Sequence, residues 1–122
     1  MNEPSTIRQI MYDKRLASLG DAFVNFIYSL ALTELRGAPE GIKVSDRDLA
    51  EAFRLAGLRN YLGTRLSKKD LANASESVLA EAYRRNLLPI EESVRIITQN
   101  QEGPKAGLSE LLKLAVKRLR AT

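Results

Sequence analysis

The chain has 122 residues, 44% hydrophobic and 28% charged, enough for one compact domain and too short for two cores of ordinary size. It contains neither Cys nor His, which excludes disulfides, thiol nucleophiles, the usual zinc sites and any catalytic dyad or triad that relies on imidazole. The formal net charge of +4 gathers at one end: residues 1–61 balance, whereas Lys105, Lys113, Lys117, Arg118 and Arg120 face Glu110 alone. Whatever chemistry the chain performs uses oxygen ligands or none. The longest apolar stretch, about residues 22–35, is interrupted by Asn25, Ser29, Thr33 and Glu34 and reads as short of a membrane span. No secretory pattern is read before it, so a cytoplasmic protein with no membrane partner is the expectation.

Periodicity favours helix throughout, with no apolar/polar alternation bounded by hairpin turns, and the fold expected is all-α. Pro4 suits the start of a short helix over about 6–12, and Asp13 can cap a long one from Lys14 to Arg36 that Gly37 ends. Ser45 with Asp48 three residues on resembles a short-armed capping box and opens a helix to about Ala56, closed by Gly57. Ser67 with Asp70 signals a helix over about 68–86, and Pro89 one over about 90–98. Gly103 and Pro104 end that region. A last helix follows over about 108–119, with Leu108, Leu111, Leu112, Ala115 and Leu119 on one stripe and the basic residues around it.

The long helix has a broad apolar surface in Leu16, Leu19, Phe23, Phe26, Ile27 and Leu30, yet Ser18, Asp21, Asn25 and Ser29 recur at spacings of three and four. Asp21 is the only charge on that stripe. Flanked by Leu19, Gly20, Ala22 and Phe23, it needs a partner if the helix is central: a cation, a hydrogen-bond donor or a metal. Gly20 inside a helix costs about 1 kcal/mol relative to alanine, and close approach of another backbone would explain it. The fourth helix is rich in small residues (Ala72, Ala74, Ser75, Ser77, Ala80, Ala82), and Asn73 and Glu76 share one of its faces. If that face meets the stripe, Asp21 and Glu76 converge with Asn73 beside them, in outline a site for a hard cation such as magnesium. An exposed Glu76, with Asp21 bonded to a nearby arginine or to backbone, accounts for the same residues without a site.

Arg15-Leu16-Ala17-Ser18-Leu19-Gly20-Asp21-Ala22 resembles the ribonuclease III signature E-R-L-E-F-L-G-D-A. Leu71-Ala72-Asn73-Ala74-Ser75-Glu76-Ser77-Val78 is similar to that family's L-A-D-x-x-E-A-L, with Tyr83 where its downstream aromatic falls. Leu49-Ala50-Glu51-Ala52-Phe53, Gly57-Leu58 and Tyr61-Leu62 look like the stretch between the two, so the likeness covers about residues 7–100. It implies a helical bundle of about six helices built on a long central signature helix, in a single ribonuclease III-like domain over 1–122. It also implies magnesium-dependent hydrolysis (manganese being possible) of structured or double-stranded RNA.

By the same resemblance Asp21 and Glu76 become the metal-binding catalytic carboxylates, with Asn73 in support through its carbonyl. Three positions depart from the family pattern: Lys14 and Ala17 replace the signature's glutamates, and Asn73 replaces an aspartate. The short, single-domain Mini-III branch looks similar in keeping mainly the central aspartate and the later glutamate. The alternative is a catalytically inactive RNA-binding or scaffold protein that kept the fold and lost the ligands. The family further implies a homodimer through the signature helix, where Ser18 takes the place of a bulky aromatic. No double-stranded RNA-binding domain is expected in the chain, so RNA grip falls to the domain and to Lys113, Lys117, Arg118 and Arg120, which otherwise form a solvated face.

Overall fold

Short polar side chains start most of the helices. The computed structural model describes residues 6–122, and Pro4 lies outside them. Thr6 and Gln9 form a reciprocal capping box at α1 (Ile7–Met11), and the Asp13 carboxylate accepts from Leu16 N at 2.9 Å to open α2 (Lys14–Arg36). Gly37, left-handed at φ 71°, ends α2. Ser45 caps α3 (Asp46–Leu55), but only half a box forms there, because the Asp48 carboxylate turns to Lys105 Nζ at 3.5 Å. After a 3₁₀ turn at Arg59–Tyr61, Ser67 and Asp70 make the full box of α4 (Lys68–Arg84). The last two helices are α5 (Ile90–Gln99) and α6 (Pro104–Arg120); among the described residues there is no strand.

Two boundaries differ from expectation. α4 stops at Arg84 because Asn86 adopts φ 60°, with Asn86 N–H bonded to Tyr83 O and Leu87 N–H to Ala82 O, both at 2.9 Å. This is a Schellman turn with asparagine in the left-handed position. α6 begins at Pro104, four residues before Leu108: Gly103 at φ 107° bends the chain, and proline fits the first helical position, where its missing N–H costs nothing.

α4 is the most enclosed helix, packed against α1, α2, α3 and α6, and from Leu71 to Ala82 every residue except Asn73 is buried. Its small side chains make this possible. Ser75 Oγ donates to Leu49 O of α3 at 3.2 Å and Ser77 Oγ to Asp13 O at 2.9 Å, so the two hydroxyls fasten neighbours as well as fit between them. α2 buries Val24, Ile27 and Ala31 fully but leaves Ser18, Leu19, Ala22 and Phe26 exposed along one side. By length and composition α2 is long and apolar enough to cross a membrane, contrary to the sequence expectation; here it packs on α4 and α5. The leucine stripe of α6 is buried throughout, against α3, α4 and α5.

Candidate active site

The close approach of α2 and α4 places the two carboxylates. Gly20 lies against the main chain of Glu76, and a Cβ at position 20 would fall 2.8 Å from Glu76 Cα and nearer still to its carbonyl. No side chain fits there, so the next residue, Asp21, is drawn to Glu76. Glu76 is 5% exposed, and Asp21 is half-exposed at the rim. Burial first, then the hydrogen bond with Asp21 and the negative charges of Asp21 and Asp46, push the Glu76 carboxyl up to about 8. Asp21 moves the other way. The hydrogen bond from Glu76 and then the Lys43 ammonium hold it below the usual aspartate range. At neutral pH the pair therefore shares one proton and carries one negative charge.

The cation on Asp21 comes from the loop after α2, and the rest of the polar stripe explains how it gets there. Lys43 Nζ lies 3.0 Å from Asp21 Oδ1. Asn25 donates through Nδ2 to the same oxygen at 3.3 Å and accepts Val44 N–H through Oδ1 at 2.8 Å. Ser29 Oγ accepts Ile42 N–H at 2.9 Å and donates to Ile42 O, and Thr33 Oγ1 makes the same exchange with the Glu40 backbone. Asn25, Ser29 and Thr33 thus bind the loop peptide by peptide, and Lys43 sits between two of the anchored residues. Sequence reasoning did not name Lys43, although it required a partner for Asp21 and the lysine stands in the first loop beyond the stripe.

Asn73 lies one turn before Glu76 on α4. It lines a small cleft of about 60 Å³ with Tyr12, Asp13, Lys14 and Asp70, and among the described residues no hydrogen bond joins its side chain to Asp21 or Glu76. Ala17, where the signature carries a glutamate, is buried and offers no ligand. No three acidic side chains converge among the described residues. The donor set suits one hard cation held by two carboxylates and completed by water or phosphate oxygens, and does not form an all-protein cage.

The basic residues of α6 divide. Arg118 forks onto Glu92, with both Nη–Oε distances 2.7 Å, and donates to Leu87 O at 2.9 Å; this clamp joins α6 to the start of α5. Lys113, Lys117 and Arg120 line an open groove of about 510 Å³ with Gly57, Leu58 and Tyr61, and none of the three has a carboxylate partner among the described residues. That groove lies just beyond the C-terminal end of α3, whereas Asp46, whose charge acts on Glu76, begins the same helix. Ten residues of α3 separate them by roughly 15 Å.

Another buried carboxylate was not anticipated. Glu81, in the last turn of α4, is 0% exposed and meets Arg84 Nη1 at 2.6 Å and Arg85 Nε at 2.8 Å. Its spacing to those arginines, three and four residues along one helix, was the signal available in the sequence.

Comparison with curated proteins finds no match. The family model for ribonuclease III matches residues 14–116, from the first residue of α2 into the last turns of α6, and so takes in the contact of the two carboxylate-bearing helices. With most of its length matched in this way, the chain belongs to the ribonuclease III family.

Proposed function

We propose that the protein is a magnesium-dependent endoribonuclease, also served by manganese, that hydrolyses phosphodiester bonds of structured or double-stranded RNA in the cytoplasm. The observation that carries this reading is the meeting of Asp21 and Glu76 across the Gly20 contact, which supplies two oxygen ligands at one point of an otherwise apolar helix interface. A divalent cation held there supplies positive charge against the scissile phosphate and raises the acidity of water. The chain's own contribution is position. Glu76 is held on a helix in main-chain contact with α2, and Asp21 is oriented by the bond from Asn25. Glu76 holds its proton in the free protein, and a divalent cation bound by both carboxylates would have to displace that proton to solvent.

A homodimer through α2 belongs to the same reading. Leu19, Phe26 and Tyr83 are 47%, 53% and 43% exposed, and they adjoin one another through Phe23, whose ring lies 5.0 Å from that of Tyr83. An apolar stripe of this kind on a surface helix fits a protein contact. Exposed Ser18 leaves space beside it for a partner side chain. RNA is gripped by Lys113, Lys117 and Arg120 in the groove.

The thin ligand set favours a second reading, a fold that binds RNA without cutting it, because Ala17 and Asn73 leave only two carboxylates in place. Incubation of purified protein with a double-stranded RNA and magnesium or manganese, beside Asp21→Asn and Glu76→Gln, separates them. Cleavage by the wild type that is lost in both variants is the expected result. Binding without cleavage selects the second reading, and cleavage that survives both substitutions removes the site.

A further inference from the structure

Lys43 is anchored more firmly than an ion pair at the surface requires. Its side chain is 71% exposed, and a pair in that setting adds little to the stability of a fold. Yet the residues on either side of it are tied to α2 by Ser29 and Asn25, and the second of these also touches Asp21. Among the described residues Lys43 is the cation that acts on both Asp21 and Glu76, whereas Lys69 pairs with Asp46 at 3.7 Å. Two carboxylates and a divalent cation sum to zero charge. A phosphodiester brought to them carries one negative charge, and Lys43 is the positive group at hand to meet it.

We propose that Lys43 is the phosphate-binding cation of this site, resting on Asp21 in the free protein and turning to a non-bridging oxygen of the RNA phosphate once a divalent cation holds the carboxylates. The inference rests on the reading of Asp21 and Glu76 as metal ligands. An ammonium on a flexible stem suits the exchange, because it has three donors and the Asp21 contact engages one of them. The clamped backbone keeps the stem's origin at the rim while the head moves a few ångströms.

The test uses the full chain, a short RNA duplex, and the variants Lys43→Met and Lys43→Arg. Duplex affinity is measured by anisotropy in calcium and in a chelator, and manganese affinity is measured without RNA. We expect Lys43→Met to lose about tenfold in duplex affinity in calcium, the size of one charge-assisted hydrogen bond, with most of it recovered in Lys43→Arg. In chelator the wild type and Lys43→Met should bind alike, and Lys43→Met should hold manganese at least as tightly as the wild type. Equal duplex binding in calcium overturns the proposal; so does an equal loss in chelator, which makes Lys43 a general surface charge, or a weakened manganese affinity, which makes it structural. A wild type that binds no manganese is a different failure, that of the metal reading itself.

Discussion

Gly20 and Glu76 touch through their main chains, and this contact sets the spacing of α2 and α4 at the point where the carboxylates meet. Substitution by alanine forces the helices apart, since the obstacle is backbone and cannot rotate away. We expect Gly20→Ala to cost about 3 kcal/mol of stability, at the upper end of overpacking effects, read as a lower urea midpoint at unchanged slope. A Gly20→Ala protein as stable as the wild type would contradict the contact.

Glu76 makes stability fall as pH rises. The unfolded chain releases this proton near 4.5 and the folded protein keeps it until about 8, so between those values the unfolded state binds fewer protons. The slope approaches about 1.4 kcal/mol per pH unit and flattens above 8. Asp21, held low, acts in the opposite sense on the acid side: its contribution is lost as pH falls through its folded value. Denaturant midpoints from pH 5 to 9 should decline in the wild type and stay level in Glu76→Gln.

Metal binding should release close to one proton at pH 7, because the carboxyl raised to about 8 must ionise to act as a ligand. Calorimetry of magnesium or manganese binding in buffers of different ionisation heat measures this directly. Affinity should rise by up to about tenfold per unit between pH 6 and 8 and level off beyond. Binding with no proton released would exclude Glu76 from the ligand set.

Replacing Glu81 by alanine opens the core and removes the carboxylate that Arg84 and Arg85 share. Arg84 and Arg85 are 42% and 29% exposed and can turn partly to water, which places the expected loss near the lower end for a broken buried pair, about 3 kcal/mol. Thermal melts should register it at once. Glu110→Ala, on the exposed side of α6, should change stability by no more than about 0.5 kcal/mol.

The basic helix end should separate by function. Lys113, Lys117 and Arg120 changed together to Gln should weaken RNA binding and reduce its salt slope by roughly 2–3. Arg118→Gln should instead lower the melting temperature and leave the slope in place, since its fork on Glu92 joins α5 to α6. The reverse assignment would return the groove to an ordinary solvated face.

Helix boundaries were legible wherever local chemistry decides them: Asp13, Ser45 and Ser67 cap as read, and Gly37 stops α2. In sequence Pro104 marks an ending because proline breaks a helix from within, and its fitness for a first turn depends on Gly103 bending the chain. Gly20 was legible as a close contact, since a glycine inside a long helix needs a reason. The stripe of Asn25, Ser29 and Thr33 was visible as a pattern, but its partner was not: those side chains bind main-chain groups, which leave no mark on residue identity. Lys43 was hidden for that reason. Asn73 and Glu76 share a sector of α4, yet the burial of Glu76 and the partial exposure of Asn73 depend on how α1 and α2 pack on α4, which spacing along α4 does not specify.

The stripe also makes the loop after α2 unequal along its length. Ala38 and Pro39 are exposed and lie between the capped Gly37 and the bonded Glu40, so extra residues there lengthen a free turn. From Glu40 to Val44 each bonded peptide has its own rung on α2, and one residue added in that interval shifts every later rung. Lys43 would then leave Asp21 even with every side chain of the pair intact. In this protein the length of a loop segment is as much a part of the site as the carboxylates are.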